Sequence, residues 1–262
     1  MASKVIGLFL AVCLPVQAYA LDASMVQICD DGDEWPPFTY YQRVEGKPSR
    51  TITGFSVDVI RSILNKHRIP FTITLLPWKR CLGSVENGET YAMALSVSKN
   101  PDREKKYLFS TAYYKTHYYV FYSKAKFQKG LNVKSQADLN NFRLGGVKGY
   151  AYSALNFVDK SKMILANSYP DLVKMMKAGR LDVFAEDYEV IAGMASIGVL
   201  NVIDDDEIGR VPLPGMGGNP FHMIFSRVNP RGVELLNIVN SELEKMRQSG
   251  ELGKLLAVYV KP

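Results

Sequence analysis

Three histidines in 262 residues, set far apart at His67, His117 and His222, offer no spacing for a histidine-based metal site. No Gly-x-Ser-x-Gly elbow occurs. Gly145-Gly146-Val147-Lys148-Gly149 matches neither a phosphate loop nor a dinucleotide fingerprint and reads as a strand ending in a tight turn. Little is left for catalysis, and no metal or cofactor is expected. The cations are dispersed, without a Lys/Arg-rich run to follow a phosphate backbone, so the formal charge of +6 speaks for solubility rather than nucleic-acid binding. After the first twenty residues there is no apolar run long enough to cross a bilayer.

What is present begins with those twenty residues. Lys4 precedes the apolar run Val5–Leu14, and Ala18-Tyr19-Ala20 supplies the small-x-small pattern of a signal-peptidase site. Cleavage after Ala20 and export are expected; a lipoprotein reading through Cys13 is disfavoured by the bulky Val12. The remaining 242 residues carry a net charge of +5 and suffice for one large domain or two lobes. They contain two cysteines, Cys29 and Cys81. An oxidising compartment favours pairing over two buried thiols, and a closed loop of that length would contribute roughly 3–4 kcal/mol.

Strands and helices alternate. Val26–Cys29, Phe71–Leu76 and Tyr91–Leu95 read as strands, separated by helices over Val57–Leu64, capped by Ser56, and Lys79–Asn87. This is the grammar of a mostly parallel sheet covered by helices. It restarts with strands at Tyr118–Tyr122, Arg143–Val147, Leu181–Ala185 and Val199–Ile203, and with helices near Gln136–Leu139, Ser153–Val158, Asp171–Ala178 and Glu186–Ile197. A Pro/Gly-dense stretch, Val211–Pro220, marks a boundary before strand Phe221–Ser226 and an amphipathic helix Gly232–Ser249. Doubly wound sheets bind ligands beyond the carboxyl ends of their strands, which selects Cys29–Tyr41, Pro77–Trp78, Leu95–Arg103, Val147–Ser153 and Ala185–Asp187.

Two of these segments pose reciprocal questions. In Ser96-Val97-Ser98-Lys99-Asn100-Pro101-Asp102-Arg103, Asn100 suits an N-cap and Pro101 the first helical position. Arg103 in that first turn is either a solvated surface cation, the default for a charged helix residue, or a two-pronged donor to a carboxylate, with Ser96 and Ser98 offering hydroxyls nearby. Asp187, ending a strand ahead of a helix, could bind an ammonium or cap the helix. Trp35, Phe38, Tyr40 and Trp78 could pack locally or wall a pocket.

Together these pieces resemble the periplasmic solute-binding proteins of family 3, the polar amino-acid type serving ABC transporters, over nearly all of the exported chain. The resembling stretches are "WPPFTY", "GFSVDVIRSIL", "LPWKR", "NPDREKKYLFSTAYY", "DLNNFRLGGVKGY", "AGRLDVFAEDYEV" and "LEKMRQSGELGKLL". The resemblance implies an α/β fold of the two-lobed periplasmic binding protein class (type II), two doubly wound sheets joined by two crossover hinges. Lobe one would comprise 21–115 and 221–262, lobe two 119–217, with hinges at about Tyr114–Tyr118 and Gly218–Met223. It implies that Arg103, assisted by Ser98, meets a ligand α-carboxylate and Asp187 the α-ammonium, with Trp35 and Trp78 lining the side-chain pocket. A subgroup sharing "CDDGDEWPPF" and "LPWKRCL" implies a Cys29–Cys81 bridge within lobe one.

The chain departs from the family at Tyr150, where relatives often carry a threonine whose hydroxyl reaches the carboxylate, and at Tyr91, where an aspartate is common. Tyr150 would either line the pocket or fill it. The expected function is capture of an amino acid or related small carboxylate by a periplasmic monomer for an inner-membrane ABC permease. Two alternatives remain: an exported dehydratase on the same fold, using Glu186 as general acid, and a sensory module for a membrane receptor.

Overall fold

A computed structural model describes residues 25–260. The signal sequence expected over 1–20 and its cleavage after Ala20 lie outside the described residues. The chain runs β1 (Val26–Asp31), a hairpin of β2 (Tyr40–Val44) and β3 (Lys47–Thr53), α1 (Phe55–Lys66), β4 (Phe71–Leu76), α2 (Trp78–Asn87), β5 (Met93–Ser98), α3 (Pro101–Lys106), β6 (Tyr107–Phe109) and β7 (Tyr114–Thr116). It continues through β8 (Tyr118–Ser123), a 3-10 turn over Gln136–Asn141, β9 (Leu144–Val147), β10 (Ile164–Ala166), α4 (Tyr169–Lys177), β11 (Val183–Asp187), α5 (Tyr188–Ser196) and β12 (Ile208–Pro212). β13 (Asn219–Ser226), α6 (Gly232–Gln248) and α7 (Glu251–Tyr259) complete it.

Two mixed sheets result. The first has the order β4-β1-β5-β13-β6, with β7 also on β13; the second has the order β10-β9-β11-β8-β12. β1 pairs in parallel with β4 and β5, and β9 in parallel with β10 and β11. β13 and β8 enter their sheets antiparallel, because each carries the chain in from the other sheet. The two connections run side by side, with Tyr114 opposite Phe221 and Thr116 opposite Asn219. They are tied by an aromatic stack in which Tyr114 lies 3.9 Å from Phe38 and 4.9 Å from Phe221, centroid to centroid.

β1 is buried along nearly its whole length, as a central strand flanked on both sides must be. The helices of the first sheet cover it with stripes such as Phe55, Ile60, Ile63 and Leu64 of α1. Cys29 of β1 and Cys81 of α2 form a disulfide closing a separation of 52 residues, within a small cluster that also takes in Val85, Tyr107 and the partly buried Tyr91. Tyr91 is thus a packing residue.

Several expected elements differ. α1 starts two residues earlier than expected, with Gly54 at φ 125° as its cap; the Ser56 hydroxyl instead meets Ser96 and Tyr113. Ser153–Val158 is not a helix but a run of turns, because Tyr152 takes a left-handed φ of 46° and six residues are too few to nucleate alone. Val199–Ile203 is not a strand. Its Leu200 and Val202 are buried, but the edge beside β8 is occupied by β12. Phe38 is wholly buried beneath the crossovers and Tyr40 lies on the hairpin, so neither lines the cleft between the sheets.

Candidate functional site

The carboxyl ends of β1, β5 and β11 face one another across a cleft with about 480 Å³ of space in and above it, open solvent included. It is lined by Arg103, Ser96, Ser98, Trp35, Trp78, Tyr150 and Asp187, all anticipated from sequence. Asp30, Asp31, Tyr118, Tyr152, Asn219 and Phe221 join them and were not singled out. The signal for the aspartates was available: two consecutive carboxylates at the end of an apolar strand have no reason to be there as core.

Arg103 is not a surface cation; it is 8% exposed. Asn100 caps α3 by accepting from the Arg103 backbone N–H at 2.8 Å, which fixes where the side chain leaves the helix. Arg103 Nη1 donates to Ser98 O and Oγ at 2.8 and 2.9 Å, and the guanidinium sits 5.8 Å from the Trp78 ring. Burial pulls its pKa down to about 10. Among the described residues no carboxylate pairs with it, so this desolvated cation is presented to the cleft without a counter-ion. Ser98 is aimed by an irregularity in the β5–β13 ladder between His222 and Ile224, where Ser96 adopts φ 55°. The Ser96 hydroxyl itself is turned to Ser56 Oγ at 3.1 Å, and its backbone N–H to the Tyr113 hydroxyl.

Asp187 ends β11, and its side chain does not cap α5. It accepts instead from the Thr116 hydroxyl and from Asn219 Nδ2, one donor from each connection between the sheets. Burial raises its pKa to about 7 against the opposing influence of those donors. The neighbouring Glu186 is raised to about 8 by burial, although Tyr152 and Tyr169 donate to its two oxygens at 2.6 and 3.1 Å. Tyr152 in turn accepts from Val147 N–H, so its single proton is committed to Glu186. Gly146 makes room for that ring: a Cβ there would meet Tyr152 at 2.9 Å.

At the third corner, Asp30 is raised to about 8 and Asp31 to about 6, again by burial. The Tyr150 hydroxyl crosses the cleft to Asp31 Oδ2 at 2.7 Å, and its ring stands edge-on to Trp35 at 5.6 Å. Tyr150 therefore lines the cleft and bridges it. Two more contacts close the same gap: Asn100 Nδ2 to Ser153 Oγ at 3.2 Å, and α5 against the Pro36 backbone, where a Cβ on Gly193 would come within 2.5 Å. Of the histidines near the crossings, His117 meets Glu189 at 2.6 Å and His222 Nδ1 meets Ser110 O at 2.8 Å.

A cleft between two sheets, holding an unpaired guanidinium on one side and a buried carboxylate on the other, is built to take up a small polar molecule. Comparison with known proteins agrees. Residues 27–262 match the family model of bacterial extracellular solute-binding proteins, family 3. A probable histidine-binding protein of Neisseria gonorrhoeae is 25% identical over 227 residues, 85% of this chain and 79% of the relative. Among solved structures, an amino acid ABC transporter substrate-binding protein of Streptococcus pneumoniae bound to L-arginine superposes with a TM-score of 0.68 at 22% identity, covering 88% of this chain and 92% of that one. An ancestral amino acid-binding protein described as a precursor of cyclohexadienyl dehydratase gives 0.68 at 21% identity, with 90% and 96% coverage. These likenesses establish the two-lobed binding-protein fold, and the match over nearly the whole described chain shows that the protein belongs to the bacterial extracellular solute-binding proteins of family 3.

Proposed function

We propose that the protein captures an α-amino acid in the periplasm by closing two lobes on it, and delivers it to an inner-membrane ABC transporter without chemical change. The observation that carries this is the opposition of Arg103 and Asp187 across one cleft, each buried and neither in an ion pair. A carboxylate on Arg103 would complete a two-pronged pair with Ser98 beside it, and an ammonium on Asp187 would answer a desolvated carboxylate. A zwitterion satisfies both at once. The names of the N. gonorrhoeae and S. pneumoniae relatives support the same ligand class.

The lobes in this reading are 21–115 with 221–262, and 119–217, turning about Tyr114–Tyr118 and Gly218–Met223. Asp187 is bound to Thr116 and Asn219 within those connections, so ligand charge and hinge are coupled through one side chain. Tyr150–Asp31 and Asn100–Ser153 already join the two sides, and contacts the ligand makes with both lobes together add the differential affinity that shifts the population further toward closure.

A second reading, a dehydratase on this fold, is favoured by one observation: Glu186 lines the cleft with its pKa raised to about 8, so it could donate a proton near neutrality. Against it, both Glu186 oxygens are engaged by tyrosine hydroxyls. A thermal-shift screen of α-amino acids, dicarboxylates and small amines tests the primary reading, since a ligand that binds only the folded state raises the midpoint. Shifts confined to α-amino acids support it. Shifts with dicarboxylates or amines alone, or aromatic product from prephenate or arogenate, contradict it.

A further inference from the structure

Tyr150 reaches further across the cleft than a wall residue needs to. It leaves the turns after β9, where Gly149 takes a left-handed φ of 88°, and its ring rests edge-on against Trp35 at 5.6 Å. Its hydroxyl then donates to Asp31 Oδ2 at the end of β1, at 2.7 Å. Asp31 is 5% exposed, and burial raises its pKa to about 6, which still leaves it ionised at neutral pH. The bond is therefore charge-assisted and largely shielded from water, the stronger class of hydrogen bond. Asp31 Oδ1 accepts from the Asp33 N–H at 3.0 Å, so the carboxylate faces Tyr150 in one fixed orientation.

A second tie lies at α3. Asn100 uses Oδ1 to cap the helix at the Arg103 N–H and Nδ2 to reach Ser153 Oγ. A third is the packing of α5 at Gly193 against the Pro36 backbone. All three run from protein to protein, so they favour the closed arrangement whatever the cleft holds. They also stand at its lining: Tyr150, Ser153 and Asp31 border the same space as Arg103 and Asp187. A ligand reaches that pair of charges only after these contacts part.

We propose that Tyr150 is an autoinhibitory latch: its hydroxyl on Asp31, with Asn100 on Ser153 beside it, holds part of the free protein closed and bars ligand entry. This rests on the two-lobed closing motion of the reading above. The latch adds a cost to that motion, because apparent affinity falls with the fraction of free protein that is shut. The hydroxyl contributes about tenfold to the closed-to-open ratio, as a hydrogen bond to a charged partner does.

Single-molecule energy transfer on the free protein tests this, after unfolding and refolding with the disulfide intact to strip any carried ligand. Dyes sit on cysteines introduced by Lys105→Cys and Asn156→Cys, both exposed, one on each side of the cleft. The free wild type is expected to show a closed population above about 10%, beyond the range usual for a minor state. Tyr150→Phe, which keeps the ring and loses only the hydroxyl, should lower the closed-to-open ratio about tenfold. A closed population below about 10%, or a ratio changed less than about threefold by Tyr150→Phe, would overturn the latch. Gly193→Leu separates that failure from failure of the closing motion, since its side chain has to part α5 from the Pro36 backbone. If it opens the protein while Tyr150→Phe does not, the latch falls and the closing motion stands. If all three proteins show the same single state, both fall.

Discussion

The two sides of the cleft present their residues by different means. On the first sheet, Arg103 leaves a capped helix, Trp78 opens another, and Asp30 and Asp31 end a central strand. β1 and α2 are also cross-linked by the Cys29–Cys81 disulfide, so backbone and a covalent bond fix this wall. On the second sheet, Tyr150, Tyr152 and Ser153 lie in a segment of turns between β9 and β10, where regular structure supplies nothing. Their order comes from side chains: Tyr152 linking Val147 N–H to Glu186, Tyr169 closing on the same carboxylate, and Asp187 tied to both crossings. One wall is preorganised by local structure, the other by a hydrogen-bond network that has to be complete to hold.

Breaking the first wall at its charge should have the largest effect. Arg103→Ala should cost about 3–5 kcal/mol of ligand affinity, because the ligand carboxylate then enters a largely buried site with no cation, while cooperative unfolding is preserved. Isothermal calorimetry reads the loss, and unchanged affinity would refute the assignment. Replacing both cysteines with serine should remove about 4 kcal/mol of stability for a loop of 52 residues, measured by chemical denaturation. The same change should weaken binding less than Arg103→Ala, since it loosens a wall without removing its charge.

Gly193→Ala addresses the join between the two walls. Its Cβ would meet the Pro36 backbone, which cannot retreat as a side-chain tip can, so the closed form is penalised by roughly 1–3 kcal/mol. Affinity should fall about tenfold or more with a nearly unchanged thermal midpoint. A lower midpoint with normal affinity would mean that Gly193 matters for folding and not for closure.

A further effect is on pH dependence. Asp30, Asp31, Glu186 and Asp187 have pKa values raised by burial to about 8, 6, 8 and 7. A raised carboxyl binds its proton more tightly folded than unfolded, so the stability of the free protein should rise as pH falls from about 8 toward 4. Below about 4 the trend reverses. Burial raises the Asp182 pKa, but hydrogen bonds from Arg143 and Lys126 outweigh it and bring the value to about 2; Lys245 and Lys66 hold Glu242 at about 2 as well. Their stabilisation is lost as they protonate. Melting curves between pH 3 and 9 test this, and a free protein most stable at pH 8 would contradict it.

The same contrast governs what could be read in the sequence. The first wall was legible because its determinants are local: Asn100-Pro101 announces a helix start, and Arg103 follows from it by position. Even so, the local reading of Arg103 as a solvated cation was wrong, since its burial depends on Trp78 and Ser98 arriving from other elements. On the second sheet the Gly145–Gly149 turn was legible, with Gly149 at φ 88°. The apolar spacing of Leu155 and Val158 suggested a helix, but those side chains are buried in irregular turns that Tyr152 initiates. Leu200 and Val202 alternate like a strand with no free ladder to join. Asn219 was hidden in a Pro/Gly-rich stretch, because its importance lies in reaching Asp187 from 32 positions away.

The account's central claim is that one ligand is shared between Arg103 of the first wall and Asp187 of the second. Its most direct test is calorimetry of the best-binding amino acid and of its des-amino analogue, on the wild type and on Asp187→Asn. The account predicts that removing the ligand's amino group and removing the Asp187 charge each cost at least about tenfold, and that the two losses do not add, because each deletes the same contact. Fully additive losses, or an Asp187→Asn variant that binds the amino acid as well as the wild type does, would contradict it.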